Sequence, residues 1–176
     1  MVGAAFLSKN GRAPEALRLH DQATRILPQN REILLMKATT LEMAGQTEAA
    51  EHLLNQIQNR WPEWHAGWVA HGIILATHRR FEEARQALET AVALGARSPE
   101  AYYYLADCTL RSAPKRIDAA KAAIRRALQL APDDPWIRSL ARRLEQPRAS
   151  PRGPSGAGDE PPYPARLFLE KPPRDW

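Results

Sequence analysis

The sequence predicts an all-α repeat protein followed by a proline-rich tail. Three observations carry that prediction. The chain resembles itself at a shift of 34 residues: Gly11 falls on Gly45, Ala16 on Ala50 and Pro28 on Pro62. A second shift carries Leu41 to Leu75 and Ala50 to Ala84. A fixed period of this length marks stacked supersecondary units. Glycine is sparse at 9 residues while alanine is abundant, a composition that favours helix. Finally, prolines 28, 62 and 132 stand where a helix must stop.

The units can be read in chain order. The first, about 1–30, begins inside its first helix and supplies Ala4, Leu7, Gly11, Ala16, His20, Ala23 and Pro28. The second, 31–64, supplies Leu34, Ala38, Leu41, Gly45, Ala50, Leu54, Ile57 and Pro62. The third, 65–98, supplies Trp68, Gly72, Leu75, Phe81, Ala84, Leu88 and Ala91. There Arg79 replaces the turn glycine and Ala96 the closing proline, so Gly95 is expected to end the helix as a left-handed cap. The fourth, 99–132, supplies Tyr102, Leu105, Ala106, Ala120, Ile124, Ala127 and Pro132. It stays in register only if two extra residues lie in the turn between Arg111 and Arg116, because turns absorb insertions and helix interfaces do not.

Local signals agree with this division. Asn30, Ser98 and Asp134 read as N-caps, with Pro99 and Pro135 at first helical positions. Small residues at Ala16, Ala50, Ala84 and Ala120 let the two helices of a hairpin approach closely. Residues 134–146 form one further amphipathic helix, with Trp136, Ile137, Leu140, Ala141 and Leu144 on one face. A stack leaves the apolar side of its last hairpin open, and this helix is expected to cap it.

These anchors resemble the tetratricopeptide repeat, whose pattern has a turn glycine, small residues at the helix crossing and a closing proline. The resemblance covers residues 1–132 and implies a right-handed superhelical solenoid of about four hairpins, with the cap helix completing a domain of residues 1–146. It also implies that the first helices of successive hairpins line a concave groove. The family's inward positions correspond to Leu35, Met36, Thr39 and Met43 in the second unit. In the third they are Ala66, Val69, Ala70 and Ile73, and in the fourth Tyr103, Tyr104 and Asp107. One subclass grips a C-terminal carboxylate with basic groove residues. Here the corresponding positions hold Met1, Ala5, Met36, Ala66 and Ala70, so no such clamp is expected. The implied function is to hold another protein or peptide, as an adaptor or assembly factor. The alternative is a permanent subunit of a larger complex whose tail drapes over its neighbours.

At Pro147 the composition breaks, and residues 147–176 hold eight of the chain's 15 prolines. Such a segment cannot bury enough apolar area to offset its ordering entropy, and it is expected to be disordered alone. Within it the stretch 163–172 is different. Leu167, Phe168 and Leu169 cluster, and Trp176 closes the chain. A docking motif is expected there, with a partner or with the protein's own groove.

The formal net charge is +5, but the basic residues are scattered among acidic ones and make no organised patch. A nucleic-acid partner is therefore not expected, and the arginine-rich surface reads as that of a bacterial genome. No stretch suits a membrane span or a cleaved signal, so a cytoplasmic protein is expected from the chain as written. The missing opening turn of the first helix leaves two readings open: a longer native protein, or a shortened helix covered by a partner. Cys108, between apolar neighbours, reads as a core filler. His65, His71 and His78 lack the further ligands a metal needs. No phosphate loop, dinucleotide fingerprint or nucleophile elbow occurs. Neither catalysis nor a cofactor is expected.

Overall fold

The structure is a computed structural model, and it describes residues 12–145. Among them are eight α-helices and no strand. They are α1 (Ala13–Ile26), α2 (Arg31–Met43), α3 (Thr47–Arg60), α4 (His65–Thr77), α5 (Phe81–Ala93), α6 (Pro99–Ser112), α7 (Ile117–Leu130) and α8 (Pro135–Glu145). Ala4 and Leu7, read as parts of the first helix of the first hairpin, and Gly11, aligned with the turn glycine Gly45, lie outside the described residues, as do the tail and its motif at Leu167, Phe168, Leu169 and Trp176.

Each boundary has a local cause. Asn30 Oδ1 accepts the amide of Ile33 at 2.9 Å, and Ser98 Oγ accepts that of Ala101 at 3.1 Å. Asp134 Oδ1 accepts the amides of Trp136 and Ile137. These satisfy donors that the first turn of a helix leaves unpaired. At the other ends, Gly45 and Gly95 take left-handed φ values of 75° and 97°. The amides that follow turn back onto the helix, Gln46 to Leu41 O and Ala96 to Ala91 O, both at 2.9 Å. Arg79 adopts the same conformation, φ 62°, and Arg80 N returns to Leu75 O in the same way. The third turn thus keeps the geometry of the second without its glycine. The fourth turn is longer, with a single 3₁₀ turn at Pro114–Arg116 holding the inserted residues.

The helices pack in chain order, each against its predecessor, and α8 closes the end against α7. Ala16, Ala50, Ala84 and Ala120 are fully buried at the hairpin crossings. Facing Ala84, Gly72 makes the closest approach: a Cβ there would lie 2.6 Å from Leu88 Cγ and 3.2 Å from the Ala84 carbonyl. Ala38 and Ala106, in the same register in the flanking hairpins, carry their methyls fully buried. On α8, Ile137, Leu140, Ala141 and Leu144 are buried and Trp136 is half-buried. Arg138, Arg142, Arg143 and Glu145 remain exposed.

Candidate protein-binding groove

Helix α4 organises the site. The side bearing Gly67 and His71 meets the preceding hairpin: a Cβ at Gly67 would stand 3.0 Å from Ile57, and His71 Nδ1 lies 3.2 Å from Gln58 Oε1. The Gly72 side meets Leu88 and Ala84 of α5. The third side carries Ala66, Val69, Ala70 and Ile73, followed by half-buried Ala76 and Thr77. The packing partners of α4 among the described helices are α5, α3, α6 and α2. In an open stack the side turned away from the hairpin partner faces a guest or solvent.

That third side is nonetheless withdrawn from water. Ala66, Val69, Ala70 and Ile73 are 3%, 4%, 1% and 3% exposed. Beside it, Leu35 of α2 and Tyr103 and Tyr104 of α6 are buried as well. The two tyrosine rings meet edge to face, their centroids 5.6 Å apart. Burial holds the Tyr104 phenol well above the usual tyrosine range, so it stays protonated. Met36, Thr39, Met43 and Asp107 are half-buried. Of the eleven groove residues read from the sequence, four are therefore partly accessible and seven are buried, not open to solvent.

Acidic side chains border this apolar strip. Glu32 pairs with Arg31 at 3.1 Å and Asp107 with Arg111 at 2.8 Å. Glu42 Oε1 pairs with His78 Nε2 at 2.8 Å, while its Oε2 is buried without a hydrogen-bond partner. Glu100, at the start of α6, is half-buried. At these inward positions only Arg111, at the far end, brings positive charge, and its guanidinium lies 5.0 Å over the Phe81 ring.

The remaining chemistry is structural. Cys108 is fully buried, and burial pushes its thiol up to about 12, so no thiolate forms at neutral pH. His71 and His78 pair with Gln58 and Glu42, and no group of three metal-ligating side chains forms among the described residues. Glu82 and Glu83 are exposed and each holds an arginine: Glu82 with Arg85, Glu83 with Arg80 at 2.6 Å. No helix of the described residues is long and apolar enough to cross a membrane.

The sequence reading missed one buried polar pair. Thr40 Oγ1 donates to Met36 O at 2.8 Å and lies 3.2 Å from His20 Nε2, on the neighbouring hairpin. The hydroxyl's proton is committed to the carbonyl, so the imidazole donates through Nε2. Burial lowers the His20 pKa and keeps the ring neutral. The only sequence signal was a histidine on an otherwise apolar face, which does not name its partner.

Comparison with known proteins places the whole arrangement. Two family models, each described as Tetratricopeptide repeat, match residues 7–67 and 69–135. Human Protein O-mannosyl-transferase TMTC1 is 27% identical over 135 residues, 75% of this chain but 15% of that protein. The chain thus spans only a small part of that relative's length. Among solved structures, TTC0263, a thermophilic TPR protein of Thermus thermophilus, is 24% identical with a TM-score of 0.65, covering 80% of this chain and 77% of that one. MamA from Desulfovibrio magneticus RS-1 is 20% identical with a TM-score of 0.65, covering 80% and 83%. The first TPR domain of Spaghetti (RPAP3), solved with the HSP90 peptide SRMEEVD, is 20% identical with a TM-score of 0.62, covering 69% and 95%. At these identities the structures establish a shared solenoid fold.

Proposed function

This chain belongs to the tetratricopeptide repeat family, a protein-interaction fold, and we propose that it serves as an adaptor or assembly factor whose inner wall takes an apolar segment of another protein. The observation that carries this reading is the third side of α4. It is apolar from Ala66 to Ile73, it is built of small and medium side chains, and Leu35, Tyr103 and Tyr104 border it.

The acids at the rim refine the preference. Glu32, Glu42, Glu100 and Asp107 favour a segment with basic flanks and disfavour an acidic tail of the kind bound by the RPAP3 domain. The clamp positions hold Met36, Ala66 and Ala70, none of which can pair with a carboxylate.

Selection of a displayed random-peptide library on the full chain tests the reading. Enriched peptides should carry two or three large apolar residues flanked by Lys or Arg. Their binding should fall at least tenfold in a Met36→Glu, Glu42→Lys variant. Acidic consensus peptides, or affinity indifferent to both substitutions, would remove the inner wall as the binding surface.

A second reading, a subunit held permanently in a larger complex, draws on α1. There Ile26 is 78% exposed and Leu27 and Leu19 are exposed beside it. Sedimentation separates the two. An adaptor stays monodisperse when purified alone, whereas an orphaned subunit self-associates through that apolar end.

A further inference from the structure

Resting on the binding reading above, we infer that the inner wall is occupied in the resting protein by the chain's own segment 163–172, which a partner must displace. The starting observation is a mismatch. Ala66, Val69, Ala70 and Ile73 are almost inaccessible, although the described helices that pack on α4 are only its neighbours in the stack. An apolar stretch this dry, from Ala66 to Ile73, is found where something covers it.

The segment matches the wall in three respects. Its apolar cluster, Leu167-Phe168-Leu169, suits the strip along α4. Arg166 precedes that cluster and Lys171 follows it after Glu170, and the strip is flanked by acids. The buried, unpartnered Oε2 of Glu42 is an acceptor waiting for a cationic donor. Pro164 and Pro172 also leave the segment fewer conformations to lose on binding.

Reach allows it. The described chain ends at Glu145, and Tyr163 follows 18 residues later, which extended spans about 60 Å. From α8 back to α4 is four helix spacings of 8–10 Å, at most about 40 Å. Tethering then acts as a high local concentration. With an intrinsic Kd of about 10 µM and an effective concentration of about 1 mM, the tail weakens a competing guest about 100-fold.

The test uses the full chain and a fluorescent synthetic peptide of residues 160–176. The peptide should bind saturably to a Leu167→Ser, Phe168→Ser, Leu169→Ser variant and about 100-fold more weakly to the unaltered chain. The milder Arg166→Glu, Lys171→Glu variant should fall between the two and covers the case where the first loses helicity by circular dichroism. Adding Glu42→Lys to the triple variant should weaken the peptide again. Equal binding to altered and unaltered tails, or no binding to either variant, overturns the inference. A concentration-dependent dimer that dissociates in the triple variant overturns it too, since the segment would then exchange between copies. If library-selected peptides bind the wall with equal affinity whichever tail is present, the tail inference fails while the binding reading stands.

Discussion

The first and second helices of each hairpin have similar lengths, yet they meet the world differently. Helices α2, α4 and α6 carry their apolar residues on more than one side, and α4 has almost no polar residue outside its ends. Helices α3, α5 and α7 bury one stripe each and give the rest to solvent. Their exposed faces are joined by ion pairs from hairpin to hairpin. Arg80 bridges Glu51 and Glu83 at 2.7 and 2.6 Å, Arg85 joins Glu82 and Glu89, and Arg116 reaches Glu89 at 2.9 Å. The second helices therefore turn an ion-paired surface to water. A buried polar atom without a partner occurs on both sets of helices, Glu42 Oε2 on α2 and Gln58 Nε2 on α3. A wall that is apolar in its middle is suited to a guest; an ion-paired wall is suited to water.

The comparison can be broken at the seam between the two walls. Leu88, fully buried on α5, holds the closest crossing, so Leu88→Ala should cost about 2–5 kcal/mol in urea unfolding. From the other side of the seam, Gly72→Ala should cost about 1–3 kcal/mol despite its better helix propensity, because the methyl meets Leu88 Cγ and a backbone carbonyl. If the alanine proved stabilising, the crossing would be looser than described.

The His20–Thr40 contact sharpens the comparison through pH. His20 is neutral in the folded chain because burial lowers its pKa from 6.5, so the unfolded chain binds more protons in acid. Stability should therefore be fully present above about pH 6.5 and fall as the pH drops below it. His71 adds to the same trend. A His20→Gln variant followed by thermal melts from about pH 7.5 to about pH 5 should show a shallower slope than the parent.

Smaller effects belong to the turns and the outer wall. Arg79 sits where Gly45 sits one repeat earlier, with the same sign of φ. Arg79→Gly should stabilise by about 0.5–1 kcal/mol, since left-handed backbone costs a side-chain-bearing residue more than glycine. Arg80→Ala on the outer wall should cost no more than about 1 kcal/mol, and less at high salt.

Much of the fold was legible because its causes are local. The N-caps Asn30, Ser98 and Asp134, the Gly95 cap, the insertion before Arg116 and the buried alanines at the crossings are each written in a few neighbouring residues. The candidate site was legible as a register, since inward positions follow from the repeat. Its accessibility was not, because whether Val69 or Tyr103 is covered depends on packing across the stack. Pairs such as Glu42–His78 and Glu51–Arg80 join positions 36 and 29 residues apart and escape any local pattern.

Hydrogen exchange of the Leu167→Ser, Phe168→Ser, Leu169→Ser chain, with and without a saturating library-selected peptide, tests the division of the two walls most directly. The account predicts that added protection falls on α2, α4 and α6 and leaves α3, α5 and α7 unchanged. Protection spread over the second helices, or confined to the exposed end of α1, would contradict it.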